Sequence, residues 1–155
     1  MRHSNFGLTC IPLLAVMVSI PSHTLAADAA AFVAQVKVSR GVVKIQRSGQ
    51  AFPAPVGTRL KVDDVIVTGG NGSVGMMFAD NSTLSMGPEG EVSLQGFTYD
   101  PTTYMGAFDA YVKQGTVSLQ AGNLAQSGPD NVRISTPQTQ LTGNAKQLMI
   151  NVEAK

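Results

Sequence analysis

The acidic and amide side chains between residues 63 and 81 are the first in the chain whose types could do chemistry. Asp63-Asp64, Asn71, Asp80 and Asn81 offer oxygen atoms of the kind calcium takes, six to eight at a time. Their spacing lacks the ligand order of an EF-hand loop, and Asp, Asn and Gly clustered between apolar runs read as solvated turn residues. Glu89 and Glu91 could begin the carboxylate pair of a glycosidase. Residues two apart on a strand face the same side, however, and no second acid stands out in the sequence. Flanked by Gly87-Pro88 and Gly90, these two read as turn charges. Gly69-Gly70-Asn71-Gly72 has the glycine content of a phosphate cradle, yet no Lys-Ser/Thr follows it and it precedes a strand. The helix N-terminal amides that would hold a phosphate are missing, so it reads as a turn.

Nucleophilic and thiolate chemistry depend on Cys10, His3 and His23, the chain's only cysteine and its only two histidines. All three sit in a segment with the three parts of a secretory signal: a positive start at Met1-Arg2-His3, an apolar run over residues 6–20, and the small-residue stretch TLAADAA. The run is shorter than the roughly 20 residues that span a bilayer, so a stable membrane span after cleavage is not expected. Cleavage after Ala26 or Ala27 removes every thiol and imidazole. That excludes a Ser-His-acid triad, a Cys-His pair and a zinc site built on those ligands from the mature chain. No catalytic, cofactor-binding or metal-ligating residue is expected there. A formal charge of +1 leaves no field to hold nucleic acid. The organisation expected is a signal peptide over 1–26, a lead over 27–35 and a β domain over 36–152, placed in the periplasm.

The elements available to position side chains are strands. Period-two alternation marks residues 33–38 and 42–46, and Val65 to Thr68 reads as a short buried strand ending in a Gly-rich turn. Between them AFPAPVGTRL carries two prolines, which suit an edge or a covering loop and not a central strand. Val74, Met76 and Phe78 share one face, as do Leu84 with Met86, and Val92 with Leu94, separated by the turns ADNS and GPEG. Later runs fall at 108–113, 116–120, 132–136 and 147–152. No stretch after residue 27 carries a 3.6-residue apolar stripe. With 16 glycines and 8 prolines, this patterning predicts an all-β fold of many short strands: a short β-solenoid, a rolled sheet or a sandwich.

In order along the chain stand Asp64, Thr68 and Gly69; Ala79-Asp80-Asn81-Ser82; Phe97, Tyr99 and Asp100; Gly115; and Thr136-Pro137. This ordered set resembles the FecR domain family, over about residues 36 to 152. The family's glycine before Asp64 is Asp63 here, and its turn glycine is Asn81, a residue that enters the left-handed region readily. Thr142-Gly143-Asn144 stands where the family's Arg-Gly-Thr element falls, which leaves the final strand free to be looser or differently placed. The resemblance implies an exported, non-catalytic bacterial domain that acts by contact with an envelope protein or with peptidoglycan. Two alternatives stand beside that reading: a sensor subunit relaying an envelope signal to a membrane partner and, least favoured for want of histidine, cysteine or an acid pair, a cell-wall glycan enzyme. With Met1 to Asn5 alone ahead of the apolar run, direct contact with a sigma factor is not expected.

The residues expected to make contacts are few. Tyr99, Tyr104 and Tyr111 lie near Phe97 and Phe108 in sequence, and tyrosine buries area at low entropic cost while keeping a polar tip. Tyr104, in the loop PTTYMG, is the foremost candidate, whereas Phe97 and Phe108 suit a core-and-rim role as well as a contact surface. Lys37 and Arg47 fall on expected strand edges, where charge discourages edge-to-edge aggregation or offers a docking face for an anionic partner.

Overall fold

The computed structural model describes residues 32–128, 130–143 and 146–153. The expected signal peptide and lead residues 27–31 lie outside them. Twelve strands and one helical turn follow in order: β1 (Ala34–Arg40), β2 (Val43–Arg47), β3 (Gln50–Pro53), β4 (Arg59–Leu60), β5 (Val65–Thr68), β6 (Ser73–Phe78), β7 (Thr83–Met86), β8 (Glu91–Tyr99), β9 (Gly106–Gln120), α1 (Leu124–Ser127), β10 (Val132–Ser135), β11 (Gln140–Thr142) and β12 (Gln147–Val152). The all-β expectation stands, and the form taken is the rolled sheet. Nine strands in the order β3-β2-β5-β8-β9-β7-β6-β1-β4 pair antiparallel and curl into an open half-barrel. A solenoid would stack parallel coils. Here the one parallel ladder among the described residues joins β10 to β9. The proline-bearing stretch forms β3 and β4, which end the path on either side, as two prolines require. Pairing starts at Ala34, and Val33 and Ala34 are buried, so the last lead residues belong to the sheet.

β9 is the spine. Its first half pairs with β8 from Gly106 to Gln114, and its second half with β7 from Val117 to Gln120. β7 and β8 thus run end to end along one edge of β9, interrupted by residues 87–90. The opposite edge carries β10 on the first half and β12 on the second. The sequence reads this strand as two runs for a physical reason. Phe108, Ala110 and Val112 are buried in the first half, Val117 and Leu119 in the second, so the alternation changes phase between them. The change falls at Gly115, whose φ of 93° is open to glycine and strained for other residues. There the backbones cross closely: a Cβ on Gly115 would stand 2.5 Å from Gly90 Cα.

The roll closes over one core. Val36, Ile45, Leu60, Ile66, Met76, Leu84, Val92, Leu94, Val112 and Ile134 are fully or almost fully buried within it. Phe78 of β6 bridges the two halves, meeting Phe108 edge-on with centroids 4.8 Å apart and Phe97 at 5.4 Å. Such pairs are worth about 0.5–1.5 kcal/mol beyond the area they bury. Phe108 is therefore core, and the half-buried Phe97 packs against it as rim.

The corner makes a quantitative expectation. Gly115→Ala meets backbone at 2.5 Å as well as an unfavourable φ, and should cost about 3 kcal/mol or more in urea unfolding. Gly49→Ala is a control with φ of 79° and open space around it, expected to cost about 1 kcal/mol. Equal losses for the two would show that the crossing is not a constraint.

Candidate binding surface

Among the described residues four polar side chains are buried: Asp64, Thr68, Asp80 and Ser82. All four belong to the ordered set that carries the family resemblance, and each fastens a turn. The Asp64 carboxylate accepts from Arg47 Nε and Nη2 at 2.6 Å each and from the Lys61 amide at 2.8 Å. Its hydrogen bonds hold the Arg47 guanidinium even further above its ordinary high pKa. Thr68 Oγ1 donates to the Gly87 carbonyl at 2.7 Å and accepts from the Gly90 amide at 2.8 Å, tying β5 to the corner. Asp80 accepts from the Ser82 amide at 3.0 Å and hydroxyl at 2.5 Å, and Ser82 Oγ accepts from the Gly122 amide at 2.9 Å. The β6–β7 turn is thereby clasped to the end of β9.

The reading of Asp64 and Asp80 as solvated turn residues is therefore corrected. They are in turns, but a buried carboxylate that caps amides inside the turn satisfies more of the backbone than water outside it could. Asp63 and Asn81 adopt φ of 69° and 66°, the left-handed conformation that glycine enters most readily. Asp63 is exposed while Asp64 turns inward, and Asn71 Oδ1 is engaged by the Val42 amide. These oxygens do not converge, and no group of three His, Cys, Asp or Glu side chains suited to a metal occurs among the described residues. Glu91 pairs with Lys113 at 3.0 Å, while Glu89 is exposed on the neighbouring turn.

The five residues expected to make contacts do not form one surface. Arg47 lies on an interior strand between β3 and β5, is bound to Asp64, and also donates to the Arg59 carbonyl at 3.1 Å. It is a structural residue and neither an edge charge nor a free docking group. Lys37 sits at the bulge between Val36 and Val38 of β1, exposed, and donates to Gln35 Oε1. A bulged lysine is one of the devices that blunt an edge. Tyr99 is half-buried, packs against the core and accepts from Asn123 Nδ2 at 3.0 Å. Tyr111 lies on the outer face of the first half of β9, between Ser93 and Ser135.

Tyr104 is different. With Met105 it forms the tip of the β8–β9 connection, 52% and 66% exposed. Its φ of 59° is costly for a bulky side chain. Bonds on both sides enforce it: its amide donates to the Asp100 carbonyl at 2.8 Å, and its carbonyl accepts from Ser127 Oγ at 2.7 Å. Asp100 in turn accepts from the Thr102 amide at 2.8 Å, which lowers its pKa below the ordinary carboxylate value.

Sequence reasoning missed a second surface. Outward residues of the half built on β1, β6, β7, the end of β9 and β12 align in two cross-strand rows. One is Val38, Gly75, Ser85, Ser118 and Met149; the other is Gln35, Met77, Thr83, Gln120 and Gln147. Neither row holds a charge. The outer face of the other half carries Lys44, the Glu91–Lys113 pair and the Arg133–Asp109 pair. The signal was present as Ser, Thr, Gly and Gln at the polar positions of several strands, but only the register unites them.

Comparison with protein-family models, curated proteins and solved structures yields no match.

Two outcomes follow from the bonds described. Asp64→Asn removes the counter-charge of Arg47, which is 30% exposed, and weakens a buried cap, and is expected to cost about 1–3 kcal/mol in chemical denaturation. A loss below about 0.5 kcal/mol would mean the pair is not a lock. For Asp100, a lowered pKa means its capping contribution is complete above the ordinary carboxylate range. It is lost only as pH falls through the depressed value. The Thr102 amide proton resonance should then titrate below the range of an exposed aspartate.

Proposed function

We propose that this protein is an exported FecR-like binding or scaffold module that acts in the bacterial periplasm through contact with an envelope component. The observation that carries the reading is Tyr104: an exposed aromatic held in a left-handed conformation by hydrogen bonds on both sides. Strain of this kind costs on the order of 1–3 kcal/mol and persists where surrounding structure over-determines it, which favours a presented side chain over an incidental loop residue. The side chains with chemical capacity are spent on the turn locks, which favours contact over turnover. The two uncharged outer rows, with Lys37 at their β1 border, offer a partner a dry, flat approach with little desolvation of ions.

Tyr104→Gly tests this directly. Removing the side chain relieves the strained φ, so stability should be unchanged or higher by up to about 1 kcal/mol. A photo-crosslinking amino acid at position 104, and separately at 111, should give a discrete envelope adduct from 104 alone. The adduct from a crosslinker at Met105 should disappear in Tyr104→Gly. Equal labelling at both positions, or release of soluble fragments from peptidoglycan by the pure protein, would defeat the reading. Labelling that appears only with an envelope stimulus would make it a sensor subunit.

A further inference from the structure

Four strands end the sheet of the described residues, three of them protected, and Gln95–Tyr99 of β8 also leaves one side unpaired. β3 is four residues long and ends in Pro53. β4 is two residues long and carries Arg59, and β11 is three residues long. Where β1 runs past β4, the bulge at Lys37 and the charge of Arg40 interrupt it. Short length, proline, bulge and charge are the devices by which proteins keep sheet edges from pairing with other chains.

β12 has none of these. Its six residues, QLMINV, contain neither charge nor proline, and pair through all six positions with β9 on one side. Among the described residues no strand pairs with its other side. The final strand is thus firmly placed, and Met149 at its middle is 69% exposed. Backbone N–H and C=O groups along a free, regular strand are a template for another strand.

The geometry points to a second copy of this chain as that strand: two β12 strands pair antiparallel about a two-fold axis, joining two half-barrels into one continuous sheet. The argument is one of side-chain parity and charge. Residues opposite one another in an antiparallel ladder share a face, and a one-residue slip turns every side chain to the wrong side. An axis through Met149 sets Met149 against Met149, Gln147 against Asn151 and Leu148 against Ile150. An axis through Ile150 sets Met149 against Asn151 and Leu148 against Val152. In both registers the buried set meets the buried set and the exposed set meets the exposed set. Self-pairing also brings identical residues together near the axis, so any charge there would meet its own sign. β12 has none, and the outer rows beside it have none. At one end, Leu148 is only partly covered and borders an apolar cavity of about 130 Å³ walled by Leu119, Val132, Ile134 and Leu141. A second strand laid along β12 would bring Ile150 or Val152 of the second copy opposite Leu148. This assembly is independent of which envelope component Tyr104 meets.

The test uses the protein expressed from its complete sequence with Cys10→Ser, so that any introduced cysteine is the sole thiol. Residues directly opposite in an antiparallel pair have Cα atoms about 4.5–5.5 Å apart, within the range a disulfide spans. Under mild oxidation Met149→Cys should form a covalent dimer rapidly if the axis passes through Met149. An equimolar mixture of Met149→Cys and Asn151→Cys should form a heterodimer if it passes through Ile150. Lys44→Cys, exposed on the opposite outer face, should form no covalent dimer. In light scattering the parent protein should be a dimer. Met149→Lys, whose side chain is already in solvent, should weaken the dimer about tenfold or more while its circular dichroism and melting point hold. A parent protein that is monomeric at every accessible concentration would overturn the proposal. So would trapping at Lys44→Cys as fast as at 149, or a dimer indifferent to Met149→Lys. A monomer that instead takes up an extended segment of another protein along β12 would overturn the assignment of the second copy.

Discussion

Two glycine backbones meet at one corner, and the fold turns on that contact. A side chain on Gly115 would collide with Gly90, and one on Gly90 would stand 2.4 Å from Met86 Cγ and 3.2 Å from Thr68 Oγ1. The close approach lets β9 change phase without breaking, so that one strand serves two halves of the roll. Without it, the apolar set Phe108, Ala110 and Val112 and the set Val117 and Leu119 could not both face inward. Phe78 could not then reach across to Phe108. Thr68 secures the same corner from the third side, its hydroxyl donating to Gly87 and accepting from Gly90. The corner is a packing constraint before it is an energetic one, because no conformational adjustment of a side chain relieves a backbone contact.

The buried polar residues extend that logic to the other turns. A small rolled sheet has many turns and a thin core, and the mature chain expected here has no disulfide to fix them. Polar side chains that bind turn amides supply the missing definition: Asp64 holds the turn before β5, and Asp80 with Ser82 the one after β6. Each is worth more for specifying one turn geometry than for net stability, since burying a charge costs much of what its bonds return. Arg47 is the clearest instance: its charge, which on a solvated edge would repel partners, is turned inward to complete Asp64.

Much of this was legible in the sequence. A short apolar run located β5, and alternation the inward faces of β6, β7 and β8, because each of these has one face in the core and one in solvent. Two prolines placed β3 and β4 at the ends of the path, and Asp63 and Asn81 mark turns where φ is positive. Other features could not be read. Evenly spaced short strands suit a solenoid and a roll alike, since spacing fixes strand length and not which neighbour pairs with which. β9 looked like two strands because its phase breaks at Gly115. The inward turn of Asp64 and Asp80 depends on partners 17 and 40 or more residues away, invisible to local pattern. Tyr99, Tyr104 and Tyr111 look like a cluster only because they are close in sequence. The ladder sends Tyr111 to the outer face, Tyr99 against Asn123 and Tyr104 to the tip.

The division of the surface follows from the same ladder. β9 presents Asp109, Tyr111 and Lys113 outward in its first half and Thr116, Ser118 and Gln120 in its second, so the phase change at Gly115 also divides charged from uncharged exterior. A face laced with paired charges stays solvated at low cost and resists dry contact. A face of hydroxyls, amides and methionine loses little on desolvation provided its few polar groups find partners. Any partner that docks broadly should therefore meet the half bearing β1, β6, β7 and β12, while Tyr104 offers a narrow, rigid contact at the hairpin tip. Surfaces of such different character suit different kinds of neighbour: a flat sheet against one, a groove or ring against the other. Under the proposed contact role, a chain with both surfaces is held in an assembly by its sheet and still presents Tyr104 to a second component.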